Sequence, residues 1–131
     1  MHLKTHNPTP WLQHFGLNHA VEVRDASRTV YFSGQTASDA AGTALYPGDL
    51  VAQFKGAWAC LCDALAAADM TPANLVRMNI YTTDVDGFMA TADQTTPIYM
   101  EAGSKIACTL LGVTRLYDPT VMIELEATAV A

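Results

Sequence analysis

The sequence predicts one α+β domain, spanning residues 1–131, in which a mixed β-sheet is covered on one face by two helices. The length fits a single domain, and 50% of the residues are hydrophobic, which is enough for one core at this size. Segments with alternating and with helical periodicity follow one another in the order β-β-α-β-α-β-β, without an internal repeat.

The N-terminal part predicts an irregular arm followed by two short strands. Pro8 and Pro10 disfavour an early helix, so residues 1–18 are expected to form the arm. Two β-type runs cover residues 19–23 and 29–33, and the polar link between them predicts a hairpin. Residues 36–48, which contain Thr, Ala, Ser, Asp and Gly and end in Pro-Gly, are expected to form a loop.

The middle of the chain predicts two helices separated by one strand. Asp49 is the expected N-cap of the first helix, whose apolar stripe runs to about residue 69. Residues 75–83 alternate between apolar and polar side chains, as a half-buried strand does. Asp86 is the expected cap of the second helix. Pro97 is expected to interrupt or kink that helix, because proline lacks the N–H donor.

The C-terminal part predicts two strands, at residues 105–116 and 121–130, with a turn at residues 117–120. Two helices on one face of the sheet leave the other face bare. In the last strand that other face carries Met122, Glu124, Glu126 and Val130. Because this mixture is too apolar for a plain solvent-exposed surface, we expect a symmetric oligomer.

Composition and missing motifs exclude several classes of function. The net charge is −6 and the seven basic residues are scattered, which disfavours nucleic acids and anionic membranes as partners. No apolar run reaches about 18 residues and no secretory signal is recognised, so the predicted location is the cytoplasm. The sequence has no phosphate-binding loop, dinucleotide fingerprint or zinc motif, and neither a cofactor nor a metal ion is predicted.

Two groups of polar residues at the predicted strands could carry chemistry. Ser33, Gly34 and Gln35 leave the second strand, where a glycine lets backbone amides approach a ligand; a plain strand exit is the alternative. Glu124 and Glu126 share one face of the last strand, about 6.6 Å apart by strand rise. Such a pair can divide the acid and base roles of catalysis. It can equally form a solvated face or a salt bridge between subunits.

A cysteine and a histidine complete the candidates. Cys108, followed by Thr109, would be nucleophilic if nearby positive charge lowered its pKa, whereas a buried inert cysteine is the commoner case. His19 opens the first strand and titrates near neutrality. It is therefore either an acid–base group or a structural, hydrogen-bonded histidine.

Four segments in chain order resemble the RidA/YjgF family. They are residues 30–35 (VYFSGQ), the helix after residues 48–49, residues 76–84 (VRMNIYTTD) and residues 123–129 (IELEATA). The resemblance covers residues 19–130, and it implies a chorismate-mutase-like fold. It also implies a homotrimer whose sheets form an inner barrel, with pockets in the clefts between subunits.

The family's best-understood members are imine and enamine deaminases, which hydrolyse reactive products of pyridoxal-phosphate enzymes to a keto acid and ammonia. In these members a glutamate on the last strand orients water and an arginine on the penultimate strand grips the substrate carboxylate. The resemblance places the catalytic glutamate on Glu124 and the substrate-binding turn on Ser33, Gly34 and Gln35.

The resemblance also shows where this sequence departs from the family pattern. Cys108 stands at the place of the substrate-binding arginine, with Thr109 after it. His19 or Ala20 stands at the place of a pocket tyrosine, and Ala92 at the place of an asparagine. We expect Cys108, Thr109 and His19 to contact the substrate, without the carboxylate grip that an arginine gives.

These observations predict a hydrolase or deaminase that acts on a small imine, enamine or related C–N metabolite in a cleft between subunits. Without the arginine, efficient hydrolysis of 2-iminopropionate is not expected. The alternative is a non-catalytic trimer that binds a small molecule or a protein partner, and a weaker one makes Cys108 a redox-sensitive thiol.

Overall fold

The structure, a computed structural model, describes all 131 residues and contains six strands and three helices. The strands are β1 (His2–His6), β2 (Ala20–Arg24), β3 (Thr29–Gln35), β4 (Leu75–Thr82), β5 (Ala107–Gly112) and β6 (Ile123–Val130). The helices are α1 (Leu50–Ala67), α2 (Val85–Ala90) and α3 (Ala92–Glu101), and 3₁₀ turns cover Trp11–Phe15 and Pro72–Asn74.

The main sheet has four strands in the order β3-β6-β4-β5. The pairs β3–β6 and β6–β4 are antiparallel, and β4–β5 is parallel. The predicted mixed α+β fold is therefore confirmed. Although β5 and β6 are consecutive in the chain, they lie on opposite sides of β4, which places β5 at one edge of the sheet.

The predicted irregular arm and the predicted hairpin are both wrong. The arm contains β1, which pairs antiparallel with β2 in a separate sheet of two strands. β2 therefore pairs with β1 in the arm, whereas β3 pairs with β6. The link between β2 and β3 is held by the C-terminus, because the Ser27 and Arg28 amides both donate to the Ala131 carbonyl, at 2.8 and 2.9 Å.

The start of α1 agrees with the sequence prediction. The second predicted helix begins at a different cap and is divided into α2 and α3. Asp49 caps α1 by accepting from the Ala52 amide at 3.0 Å, as predicted. The cap of α2 is Asp84, which accepts from the Gly87 amide at 2.9 Å, so Asp86 lies inside the first turn. The chain breaks between α2 and α3 at Thr91, whereas Pro97 lies inside α3.

One face of the main sheet and the inner side of α1 form the core. The core residues of β4 and β6 alternate with polar residues, and the polar set points to the opposite face. No helix covers that opposite face in the chain, where Tyr31 is 80% exposed. We call it the open face. By length and composition α1 could cross a membrane, but its apolar stripe packs against β3 and β6, as in the core helix of a globular domain.

A buried glutamine connects α1 to the segment that leads into β6. Gln53 is only 1% exposed. Its Nε2 donates to the carbonyls of Leu45, Tyr46 and Thr120 at 3.2, 3.2 and 2.7 Å. Its Oε1 accepts from the Met122 amide at 2.7 Å. The amide therefore fixes the chain one residue before β6 begins, and sets where Glu124 lies.

Replacing Gln53 by Leu is expected to lower the free energy of unfolding by about 2–4 kcal/mol, because the Met122 amide and the three carbonyls lose their buried partner. Denaturant titration measures this change. Gln94→Leu, at an exposed position of α3, serves as the control and should change the free energy by no more than about 0.5 kcal/mol. Equal effects of the two substitutions would contradict the anchoring role.

Candidate functional site

Glu124 lies beside a bulge in the neighbouring strand β3. Phe32 pairs with Ala127 and Gln35 pairs with Leu125, so β3 uses one more residue than β6 over this interval. The extra residue belongs to the Ser33–Gly34 step, as in a β-bulge, a feature that recurs next to active sites. Gln35 supports the bulge, since its Nε2 donates to the Ser33 carbonyl at 3.0 Å.

Gly34 is required here because the Glu124 side chain occupies the space above it. A Cβ atom at residue 34 would overlap the Glu124 carboxylate. The glycine therefore serves close approach rather than an unusual backbone angle. The structure thus brings together two of the predicted site residues, Gly34 and Glu124, and their role in binding or catalysis stays a prediction.

The two glutamates of β6 have different environments. Burial, and then the negative charge of Glu126, raise the pKa of Glu124 above its usual value. Hydrogen bonds from Asn79 Nδ2 and Tyr81 Oη, both 2.9 Å from Glu126 Oε1, lower the pKa of Glu126. Pairs of carboxylates whose pKa values are pushed apart are typical of acid–base sites. In such a pair Glu124 is the group suited to exchange protons.

Asn79, Tyr81 and Arg77 belong to the open face but were not singled out as functional residues from the sequence. The alternation of β4 predicts that these three side chains share a face. The pairing of Asn79 with Glu126 and of Tyr81 with Glu124 depends on the order of the strands in the sheet. Arg77 Nη2 donates to Thr109 Oγ1 at 2.7 Å. Together with Tyr31, Asn79 and Glu126, Arg77 lines a shallow cavity of about 210 Å³ on the open face.

Cys108 lies on the other side of the sheet, in a larger apolar cavity. This cavity of about 370 Å³ is enclosed by β4, β5, the α2–α3 region and the N-terminal 3₁₀ turn. Its lining residues are Trp11, Leu12, Phe15, Leu17, Ile80, Phe88, Met89, Ala92, Thr96, Tyr99, Cys108, Thr109 and Leu110. We call it the apolar cavity. None of the lining side chains carries a charge at neutral pH, apart from any ionisation of the cysteine.

The Cys108 thiol is protonated under ordinary conditions. Burial raises the pKa of Cys108 to about 12, against a smaller lowering by the positive charge of Arg77. This direction is opposite to that of a nucleophilic cysteine. The redox or nucleophilic interpretation of Cys108 is therefore disfavoured, and the thiol acts as a small apolar group of the cavity wall.

His19 and Thr109 lie at the margins of the apolar cavity. The His19 amide donates to Asn7 Oδ1 at 3.0 Å, and the imidazole packs edge-on against Trp11, with ring centroids 6.1 Å apart. His19 therefore supports a cavity wall instead of lining it. Thr109 borders the cavity by its place in β5 next to Cys108, but its hydroxyl points to the open face and accepts from Arg77 there.

Within one chain the predicted site residues form two groups on opposite faces of the sheet. Glu124 and Gly34 belong to the open face, while Cys108 belongs to the helix-covered face. Side chains of adjacent strands that point to opposite faces are separated by the backbone layer. A single ligand can touch both groups only if they come from different subunits.

Replacing Glu126 by Gln is expected to lower the pKa of Glu124, because it removes the negative charge that disfavours ionisation of Glu124. The pKa should stay above the ordinary glutamate value, since burial is the larger cause and persists. Carbon-13 NMR titration of the glutamate carboxyl groups measures the change. Glu101→Gln, on exposed α3, is the matched control and should leave the titration of Glu124 unchanged. An unaltered or higher pKa in Glu126→Gln would show that the two carboxylates do not interact.

Solved structures resemble this chain over most of its length. The Rid-family protein YyfB from Yersinia pestis, a protein of unknown function, has 31% sequence identity and a TM-score of 0.88, covering 100% of both chains. The YjgF gene product of E. coli has 25% identity and a TM-score of 0.69, covering 82% of this chain and 84% of its own. Rv2704 from Mycobacterium tuberculosis, a YjgF/YER057c/UK114 family member, has 23% identity and a TM-score of 0.64, covering 99% and 100%.

A family comparison agrees with these structural matches. No curated protein matches the chain. The model of the family described as endoribonuclease L-PSP matches residues 14–131, which is nearly the whole domain. The match therefore includes the Ser33–Gly34 bulge, the carboxylates of β6 and the position of Cys108. The chain belongs to the endoribonuclease L-PSP family, which includes the Rid and YjgF proteins.

Proposed function

We propose that this protein is a Rid-type hydrolase that acts on a small imine, enamine or related C–N compound. The observation that carries the proposal is the position of Glu124, whose carboxylate lies over the Ser33–Gly34 bulge and has a raised pKa. A carboxyl group with a pKa closer to neutrality can both accept and donate a proton during turnover.

The reaction needs only water and one acid–base group. Glu124 accepts a proton from water as the oxygen bonds to the carbon of the protonated C=N group, which gives a neutral carbinolamine. Glu124 then returns the proton to the nitrogen. The C–N bond breaks with its electron pair leaving on ammonia, while the carbinolamine hydroxyl becomes the carbonyl and gives its proton back to Glu124, from which it passes to solvent. Glu126, held ionised by Asn79 and Tyr81, keeps Glu124 ready to take up the proton.

The working form in this proposal is a homotrimer with its sites between subunits, in the cytoplasm. Support comes from the separation of Glu124 and Cys108 on opposite faces of one sheet, and from the uncovered open face. In each cleft one subunit supplies Glu124 with Ser33, Gly34 and Gln35. The next subunit supplies Cys108 and Thr109, and its His19 supports the wall of the apolar cavity.

A second candidate is a trimer that binds a small molecule without converting it. The apolar cavity favours it, because a cavity of about 370 Å³ can hold a ligand although it contains no catalytic acid or base of its own chain. RNA cleavage, which the family description names, is not proposed. The net charge of −6 and the scattered basic residues give no surface that would hold a phosphate backbone.

Ammonia release from a panel of imines, generated in situ from amino acids and from amines, tests the proposal. We expect turnover of at least one imine, with kcat reduced by about 10²–10⁴-fold in Glu124→Gln, because the proton acceptor is lost. Glu101→Gln is the control with the same chemical change at an exposed position and should retain full activity. If no imine is hydrolysed, or if Glu124→Gln is as active as the wild type, the hydrolase proposal fails.

A further inference from the structure

We infer that the apolar cavity selects substrates whose side chain is uncharged and apolar, and that it excludes a free carboxylate. This inference rests on the proposed function, because it names the class of compound that the same cleft takes. The cavity has the size and the lining that small-molecule sites have in proteins: about 370 Å³, mostly apolar, with few polar groups.

The walls of the cavity are suited to a flat or branched apolar group. Aromatic rings of Trp11, Phe15, Phe88 and Tyr99 contribute to the lining, together with several aliphatic side chains. Met89 lies at the mouth and is 50% exposed, as is Trp11 at 57%, so apolar surface is available to an entering ligand. Aromatic walls of this kind give large contact areas at low entropic cost.

The polar groups of the cavity are already used within the protein. The Thr96 hydroxyl lies 3.4 Å from Tyr99 Oη, and Tyr99 Oη itself donates to the Phe15 carbonyl at 2.6 Å. The Thr109 hydroxyl points to the open face, where it accepts from Arg77, and so it offers the cavity no donor. A carboxylate in the cavity would therefore lose its hydration without gaining a charged donor, which is costly.

The positive charge of Arg77 lowers the pKa of Cys108, but Arg77 does not line the apolar cavity. It lies on the open face and holds Thr109 Oγ1 at 2.7 Å. Two other arginines are also engaged within the chain, since Arg24 binds Glu22 and Arg28 Nη2 donates to the Ala68 carbonyl at 2.6 Å. The fourth, Arg115, does not line the apolar cavity. In this chain the selection of an uncharged group thus follows from Cys108 and its neighbours.

The test compares two probes that have nearly the same shape and differ in charge. Acetophenone carries a methyl group where benzoylformate carries a carboxylate, and neither has a C–N bond. Isothermal titration calorimetry with the full-length protein at pH 7.5, supported by methyl NMR shifts of Met89 and Leu110, should show acetophenone binding at least about tenfold more tightly, which corresponds to 1.4 kcal/mol.

Two variants locate the binding and test its cause. Ala92→Phe fills the cavity from α3 and should abolish binding of acetophenone, whereas Ala90→Phe, at the exposed end of α2, should leave it unchanged. Cys108→Arg should reverse the ranking and favour benzoylformate by tenfold or more, because a guanidinium pairs with a carboxylate. This second variant keeps the test decisive if Ala92→Phe does not fold.

The inference is overturned if the wild type binds benzoylformate as tightly as acetophenone, if neither probe binds, or if Cys108→Arg leaves the ranking unchanged. Neither probe would bind if a side chain of a second copy filled the cavity, and that result would also overturn the inference. Because both probes are ketones, the outcome is independent of turnover. If acetophenone binds selectively but no imine is hydrolysed, this inference stands and the hydrolase proposal fails. If only imines that carry a carboxylate are hydrolysed, the hydrolase proposal stands and this inference fails.

Discussion

The alternation of side chains across a single β-sheet is the constraint on which the site depends. β4 and β6 send apolar residues into the core and polar residues to the open face. Glu124 therefore faces away from the helices, whereas Cys108 on β5 faces towards them. One chain has an acid–base group without a cavity around it, and a cavity without an acid–base group. Association of copies is the simplest way in which the two halves can form one site.

Local interactions prepare each half before any association. On the open face, Gly34 leaves room for the Glu124 carboxylate, and Asn79 and Tyr81 fix the neighbouring carboxylate in its ionised form. On the other face the 3₁₀ turn at Trp11–Phe15 closes the apolar cavity, and Tyr99 Oη ties that turn to α3 through the Phe15 carbonyl at 2.6 Å. Gln53 holds the chain at the start of β6, the strand that carries Glu124. Glu124 is thus positioned by the sheet and by α1, whereas the apolar cavity is formed by β4, β5, the α2–α3 region and the 3₁₀ turn.

The sequence predicted the elements that depend on local patterns and missed those that depend on distant partners. The stripe and the Asp49 cap of α1, the alternation in β4 and the shared face of Glu124 and Glu126 are all local signals. The pairing of β1 with β2 was missed because the arm reads as irregular and its partner lies some 18 residues away along the chain. The roles of Asn79, Tyr81 and Gln53 were missed because their hydrogen-bond partners lie on other elements. The periodicity of a sequence does not show which elements are neighbours in the fold.

The central claim is that Glu124 of one subunit and the apolar cavity of another form one site. A crystal structure of the protein in the oligomeric state found in solution tests this most directly. We expect the Glu124 carboxylate to line the same cleft as Cys108 of the partner subunit, close enough for one small ligand to contact both. A monomer in solution, or an assembly in which Glu124 lies away from every apolar cavity, would contradict the claim.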